Sequence, residues 1–391
     1  MSNNNHLTAL LEGFTKSGPV GCSLLVARDG ETLYEHHAGY ADLGDERPIG
    51  PDTIYRIYSM SKVVTCVAAL MLYERGVYLL NDPLYAYLPE FKDAQVYRES
   101  PDGSAEATPA ASPILVKDLF KMTSGITYPG GDNETQRHTT RAVEALQKQQ
   151  EQGGEALTAQ SLSKALAAVP LAFDPGTRWQ YGFSHDVLGA LIEVLSGKRF
   201  STFLDEEVFQ PLGMTDTFFR IPDEKRSRLC TLYRRADDGG LAKNSDASLD
   251  VNYQPGALFE SGGAGLLSTL SDYSRFAQML AAGGTFDSAR ILGRNTIDLM
   301  ASQHLGPEQQ RDYNWEWQRG YGFGLGVRVM QDRALGGSNS PVGEFGWSGL
   351  AGTWLSVDPS SGLSAVYMQQ MFPSDEHISQ PRLRSAVYGL V

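Results

Sequence analysis

The sequence has few cysteines, and their spacing excludes a disulfide framework. Only three occur in 391 residues, Cys22, Cys66 and Cys230, and they lie far apart along the chain. Zinc sites and disulfide-rich domains need closely spaced or paired cysteines. Cys66 falls inside an apolar helical pattern, which favours a core position over a nucleophile. The adjacent His36 and His37 have no third ligand at metal-binding spacing, so we expect no metal site.

Positive charge is scarce relative to negative charge. The chain has 33 lysines and arginines against 46 aspartates and glutamates, a formal net charge of −13. Nucleic acids and anionic membranes repel a surface of this sign. We therefore expect a small-molecule substrate as the main partner, and neither nucleic acid nor membrane.

Long apolar runs are also missing. No segment approaches the ~18 apolar residues that cross a bilayer. Residues 1–11 have no basic segment followed by an apolar one, so the sequence predicts no signal peptide and a cytoplasmic location.

The chain lacks a Gly-x-Ser-x-Gly motif, which excludes the nucleophile of the α/β-hydrolases. It does contain Ser-Met-Ser-Lys at 59–62, followed by an apolar helical pattern over 63–76. Ser59 is expected at or just inside the helix N-terminus, with Lys62 one turn later on the same face. A lysine of lowered pKa can take the proton of a serine hydroxyl and so activate it. A serine N-cap followed by a surface lysine is the alternative interpretation.

Strand patterns lie at both ends of the chain, and helical patterns lie between them. A helix over about 5–17 precedes a predicted strand from Gly21 to Arg28, a turn at 29–30 and a return strand. The last ~75 residues alternate again, which predicts three or four antiparallel strands before a final helix. Residues 101–113, rich in Ser, Pro, Ala and Glu, are predicted to form an exposed loop.

This order of elements predicts an α+β fold, in which an antiparallel sheet built from both chain ends is flanked by helices. The predicted sheet domain comprises residues 1–78 and 285–391. Residues 79–284 are predicted to form an inserted, mostly helical domain. We expect the active site in the cleft between the two domains.

Three segments resemble the motifs of the serine β-lactamase and penicillin-binding-protein superfamily, in the order that this superfamily has them. They are Ser59-Met-Ser-Lys62, Tyr181-Gly-Phe183 and Trp347-Ser-Gly349. The chain over about 15–371 is similar to the class C-like branch, and most like the family VIII carboxylesterases. The resemblance implies a β-lactamase/transpeptidase-like fold and an acyl-enzyme mechanism that needs no cofactor.

The resemblance also implies roles for single residues. Ser59 matches the acylated nucleophile, Lys62 the group that accepts its proton, and Tyr181 the tyrosine that relays protons beside the lysine. The backbone N–H groups of Ser59 and Leu350 match the donors of the oxyanion hole. Substrate-binding positions are matched by Trp347, Ser348, Gly349 and Phe183.

Two of these positions depart from the superfamily's pattern. Phe183 stands where the second motif usually has Asn, and Trp347 stands where the third usually has Lys or His. Losing an amide and a cation favours neutral, apolar acyl groups over anionic, amide-bearing β-lactams. The alternative is that both aromatic residues belong to the core.

We therefore expect a carboxylesterase for short-chain or bulky esters. Lys62, kept partly neutral by burial, is expected to take the Ser59 proton directly or through Tyr181. A β-lactamase, a D-amino-acid peptidase or amidase, and an acyltransferase share the same acyl-enzyme and remain alternatives. So does an inert binding protein on this fold, although the intact set of Ser59, Lys62 and Tyr181 argues against it.

Overall fold

The computed structural model describes residues 4–99, 105–154, 156–236, 239–250, 253 and 257–391. Its main feature is an antiparallel sheet to which both ends of the chain contribute strands. In spatial order these strands are Tyr321–Phe323, Arg328–Met330, Phe345–Gly346, Trp354–Asp358, Leu363–Gln369, Gly21–Arg28, Glu31–Asp42 and Arg47–Pro48. The N- and C-terminal parts of the chain therefore meet in the middle of one sheet.

The central pair of strands, Gly21–Arg28 and Leu363–Gln369, is buried on both faces. The pairing runs in register from Cys22 opposite Gln369 to Arg28 opposite Leu363. Helices cover both faces, which is why these strands are apolar along nearly their whole length instead of alternating. Successive side chains still point to opposite faces of the sheet.

Two terminal helices cover one face of this sheet, and an internal helix covers the other. Asn4–Ser17 and Glu376–Val387 pack together, and a core cluster joins their apolar side chains to Leu24 and Val26. Leu270–Ala281 packs against the central strands as well. This helix belongs to the predicted helical insert of residues 79–284, yet it packs on the sheet of the other predicted domain. The domain limits stay a prediction.

The segment between the two halves of the sheet is mostly helical. The α-helices of the described residues, beyond the three just named, are Ser61–Glu74, Val116–Phe120, Glu134–Glu151, Ala159–Ala167, Ser184–Ser196, Phe200–Leu204, Gln210–Leu212, Arg294–Met300, Pro307–Asp312 and Arg333–Gly336. Short strands outside the main sheet are Ile54–Arg56, Gln95–Glu99, Ala105–Pro109, Tyr233–Arg235, Leu241–Lys243, Leu267–Thr269, Thr285–Phe286, Ala289–Arg290 and Met371–Phe372. The predicted α+β class is confirmed.

The prediction of an exposed loop over 101–113 is wrong for part of that segment. Ala105–Pro109 is a strand that pairs antiparallel with Gln95–Glu99, and residues 101–104 lie outside the described part of the chain. Pairing with a neighbouring strand supplies backbone hydrogen bonds that composition does not reveal. Of the helices that the structure describes, none is long and apolar enough to cross a membrane.

Candidate active site

Ser59 lies in a single 3₁₀ turn, Tyr58–Met60, that leads directly into the Ser61–Glu74 helix. Tyr58 has φ of 40°, a left-handed conformation that costs a non-glycine residue roughly 1–3 kcal/mol. Its hydroxyl donates to the Leu249 carbonyl at 3.0 Å, which helps to hold this conformation. Tyr58 and Met60 are buried, whereas Ser59 between them is half-buried. The turn thus anchors its neighbours and leaves the serine accessible.

The Lys62 side chain is buried, with 1% of its surface exposed. Its Nζ atom lies 3.2 Å from Ser59 Oγ, 2.9 Å from Tyr128 Oη and 2.6 Å from the Gly263 carbonyl oxygen. An ammonium group has three N–H donors, and three acceptors surround it here. Nζ also lies 4.6 Å from the centre of the Tyr181 ring, a cation–π contact. Lys62 is therefore held in one place, in contact with the candidate nucleophile.

Two tyrosines stand side by side next to this lysine. The ring centres of Tyr128 and Tyr181 are 5.6 Å apart. Gly182 allows this, because a Cβ atom there would lie 2.3 Å from the Ile126 carbonyl oxygen. The Tyr181 hydroxyl accepts a hydrogen bond of 3.0 Å from Trp347 Nε1. The second and third sequence motifs are thus joined through one hydrogen bond.

The third motif packs against the segment that carries Ser59. A Cβ atom at Gly349 would lie 2.4 Å from the Ile57 carbonyl oxygen, so only glycine permits this approach. The following turn is closed by a hydrogen bond from the Gly352 N–H to the Gly349 carbonyl. Within the described residues the Leu350 N–H has no protein acceptor. The oxyanion-hole role of Leu350 stays a prediction.

Electrostatics in this site differ from the expectation for Lys62. Burial disfavours its ammonium form, but neighbouring Tyr128, Tyr181 and Asp186 outweigh burial, so the pKa of Lys62 lies above its ordinary value. Burial raises the pKa of the Tyr128 hydroxyl as well, against the opposing effect of Lys62. The expectation that burial leaves Lys62 partly neutral is therefore wrong. The Ser59–Lys62 motif does not show that Tyr128, Tyr181 and Asp186 lie near the lysine and favour its ammonium form.

The predicted residues Ser59, Lys62, Tyr181 and Trp347 are brought together, and their roles stay predictions. Trp347 is buried, with 2% of its surface exposed, so it contacts Tyr181 more than it lines an open surface. The remaining predicted positions lie around this group: Phe183 packs on Tyr128 with ring centres 4.7 Å apart, Ser348 is half-buried, Gly349 is buried and Leu350 is exposed.

Sequence reasoning missed Tyr128, Asp186 and the carbonyl group of Gly263. Tyr128 follows Thr123-Ser-Gly125 in the sequence and belongs to none of the three motifs, so no sequence signal identified it. The glycine-rich stretch at 262–265 packs against Thr65, which donates to the Gly262 carbonyl at 2.7 Å, and it also supplies an acceptor to Lys62.

The histidines and Cys66 take part in ordinary protein contacts. His37 bonds to Ser23 at 2.8 Å and to Glu35 at 3.1 Å. Cys66 is buried, and its Sγ atom lies 3.6 Å from His185 Nε2. No cluster of three or more metal-ligating side chains occurs among the residues that the structure describes.

Both chain ends contribute strands to one antiparallel sheet, and a serine and a buried lysine lie at the start of one helix. These two features define a β-lactamase/transpeptidase-like protein. The chain belongs to the Beta-lactamase family, whose model matches residues 7–388. It is therefore a member of the serine β-lactamase and penicillin-binding-protein superfamily.

The chain is similar to two curated relatives and to one solved structure over most of its length. Protein Rv1367c of Mycobacterium tuberculosis is 33% identical over 90% of this chain and 86% of its own length. Esterase EstB of Burkholderia gladioli is 28% identical over 95% of this chain and 91% of its own. The structure of EstCE1, described as a hydrolase with promiscuous acyltransferase activity, superposes with a TM-score of 0.81 at 25% identity and covers 99% of this chain and 98% of its own.

Proposed function

We propose that this protein is a serine carboxylesterase of the family VIII type, which forms an acyl-enzyme on Ser59. The observation that carries the proposal is the position of Lys62 Nζ, 3.2 Å from Ser59 Oγ and 2.9 Å from Tyr128 Oη. Similarity to EstB and to EstCE1 supports an ester as the substrate. In this proposal Ser59 is the nucleophile, Lys62 the base, and Tyr181 the proton relay.

The proposed substrate is a neutral ester, because aromatic side chains dominate the surroundings of Tyr181. Trp315 is half-buried, and its ring centre lies 5.6 Å from that of Tyr181 and 5.9 Å from that of Trp347. Tyr128 and Phe183 form a second aromatic contact beside them. Such walls stabilise apolar acyl or alkoxy groups by burial and offer no cation to a substrate carboxylate.

The proposed reaction begins once Lys62 has lost a proton to solvent. Its lone pair then accepts the Ser59 hydroxyl proton, while its two N–H bonds remain directed at Tyr128 and the Gly263 carbonyl. Ser59 Oγ attacks the ester carbonyl carbon, and the resulting oxyanion accepts hydrogen bonds from the N–H groups of Ser59 and Leu350. The leaving alkoxide takes a proton from Lys62 directly, or from the Tyr181 hydroxyl, which Lys62 then reprotonates, so that Lys62 is neutral again. Water then repeats these steps on the acyl-enzyme and releases the acid.

Intact-protein mass spectrometry during turnover tests this proposal. We expect p-nitrophenyl butyrate to give a transient adduct of one butyryl group, located on Ser59 by peptide mapping, and a chromogenic cephalosporin to give little adduct. Turnover of the cephalosporin in preference to the ester would make the protein a β-lactamase instead. Absence of adduct and turnover with both compounds would favour the peptidase or the inert binding protein.

An acyltransferase is the second candidate, because EstCE1 is described as combining both activities. The acyl-enzyme is common to both reactions, and only the acceptor differs. Adding a primary alcohol to the butyrate assay separates them, since transfer yields the butyrate ester of that alcohol at the expense of butyric acid. A product ratio that follows the alcohol concentration would identify acyl transfer.

Replacing Trp347 by lysine is expected to change the preference between the two substrate classes. A cation there would attract a substrate carboxylate, while loss of the indole N–H removes the hydrogen bond to Tyr181. We expect the ratio of cephalosporin to butyrate kcat/KM to rise about tenfold, a difference of roughly 1.4 kcal/mol in transition-state binding. Trp347→Phe is the matched control, because it removes the N–H without adding charge. An equal ratio in both variants would mean that charge at this position does not set the preference.

A further inference from the structure

A buried carboxylate is connected to Lys62 through the backbone of Gly263. Asp186, in the first turn of the Ser184–Ser196 helix, has 2% of its surface exposed. Its Oδ1 atom accepts hydrogen bonds from Ser261 Oγ at 2.5 Å and from the Gly263 N–H at 3.2 Å. Since the Gly263 carbonyl accepts from Lys62 at 2.6 Å, a single residue links the carboxylate to the lysine.

The second oxygen of this carboxylate has no partner within the described part of the chain. Asp186 Oδ2 is buried without a hydrogen bond. A buried carboxylate with one unsatisfied oxygen is costly unless an opposite charge compensates it, and so is a buried ammonium group. The charges of Asp186 and Lys62 can therefore compensate each other.

The other titratable groups facing this pair are Tyr128, Tyr181, His185 and Cys66. Burial lowers the pKa of His185 to about 3 and raises the pKa of the Cys66 thiol, so both are neutral at pH 7. Burial likewise raises the pKa of Tyr128, which keeps its hydroxyl protonated. Burial also raises the pKa of the Asp186 carboxyl, against the opposing effects of Lys62 and of the hydrogen bonds from Ser261 and Gly263. Lys62 and Asp186 are linked through Gly263 and make no direct ion pair within the described residues.

We propose that Asp186 is a positioning residue, which holds the Gly263 carbonyl against Lys62 and supplies the negative charge that keeps Lys62 an ammonium ion in the resting site. This inference rests on the proposed function, because it concerns the base of that reaction. In this proposal, Asp186 sets the pH at which Lys62 loses a proton and can accept the one from Ser59.

The proposal has a direct consequence for the pH dependence of turnover. Lys62 accepts the serine proton only after losing one of its own, so kcat/KM should rise with pH as Lys62 deprotonates. Together with Tyr128 and Tyr181, Asp186 raises the pKa of Lys62, so kcat/KM should rise only at high pH. Removing its charge lowers the pKa of Lys62, and the rise should move to lower pH.

The test compares pH profiles of kcat/KM for p-nitrophenyl butyrate in the wild type and in Asp186→Asn. The amide keeps the size and the acceptor oxygen of the carboxylate but removes its charge. We expect the alkaline rise to move down by about one pH unit or more, as for loss of a neighbouring opposite charge. The pH at which kcat/KM reaches half of its plateau is the quantity compared, and it should fall even if the maximal rate falls.

Ser261→Ala is the matched control, since it removes a hydrogen bond to the same carboxylate and leaves the charge in place. The rise should stay at its wild-type pH in this variant. A rate loss in Asp186→Asn without movement of the rise, or the same movement in both variants, would overturn the proposal. If circular dichroism shows that Asp186→Asn is unfolded, Asp186→Ser removes the charge without added volume and is measured instead.

Failure of the proposed function would be recognised separately. The Ser59 adduct is measured in the wild type at a single pH, and its absence would refute the nucleophile without reference to Asp186. A normal adduct together with an unmoved pH profile in Asp186→Asn would refute only the role given to Asp186.

Discussion

Replacing Ser59 by alanine is expected to abolish the acyl adduct and to lower ester turnover on the order of 10⁴-fold or more. The other groups cannot compensate, because Lys62 acts by taking the proton of the Ser59 hydroxyl and the oxyanion-hole donors stabilise the intermediate that Ser59 Oγ forms. The free energy of unfolding should change little. Within the described residues, Lys62 is the one hydrogen-bond partner of the Ser59 hydroxyl. Mass spectrometry with p-nitrophenyl butyrate and a thermal melt measure both quantities.

Ser61→Ala is a useful control for this prediction, because Ser61 lies two residues away and belongs to the structure, not to the proposed chemistry. Its hydroxyl accepts a hydrogen bond from the Leu266 N–H at 3.0 Å. That variant should lose stability, by about 1–3 kcal/mol for the unpaired group, and still form the adduct. An adduct that persists in Ser59→Ala would refute the nucleophile assignment.

Replacing Tyr181 by phenylalanine is expected to have the second-largest effect, a loss of about 10²–10⁴-fold in kcat. The hydroxyl is the proposed donor to the leaving alkoxide, and the change removes it while keeping the ring over Lys62. Trp347 Nε1 would lose its acceptor, so the free energy of unfolding should fall by about 1–3 kcal/mol. Stopped-flow measurement of the burst of p-nitrophenol separates slow acylation from slow deacylation.

Tyr128→Phe separates the two tyrosines. Tyr128 raises the pKa of Lys62, so its removal should move the alkaline rise of kcat/KM to lower pH, whereas Tyr181→Phe should lower the rate across the whole pH range. If Tyr128→Phe shows the larger loss at every pH, Tyr128 and not Tyr181 is the relay. An unchanged rate in Tyr181→Phe would remove that residue from the mechanism.

Local sequence patterns were sufficient for the order of elements at both chain ends. The 21–28 and 31–42 strands with their turn, the opening helix and the final helix depend on short-range periodicity, which sequence displays directly. The hairpin formed by Gln95–Glu99 and Ala105–Pro109 was not predicted. Ala105–Pro109 lies within residues 101–113, whose composition predicted a loop, and its pairing with Gln95–Glu99 is not visible in that composition.

For the site, the sequence by itself determined the residues that carry a family motif. Ser59, Lys62, Tyr181 and Trp347 could be named because each stands in a short segment of recognisable spacing. The sequence did not predict how deeply these residues are buried, and Trp347 is an example. Its indole is enclosed and holds the Tyr181 hydroxyl, a role that an exposed substrate-binding residue would not have.

Only the tertiary structure decided the protonation of the candidate base. Tyr128 is 66 residues from Lys62 in sequence and Gly263 is 201 residues away, yet both contact its Nζ atom. Asp186 acts on the same lysine through Gly263. Electrostatic interactions depend on distance in space and on burial, and neither can be read from residues so far apart along the chain. The sequence therefore specified which groups could react, and the fold decided which charge each of them carries at rest.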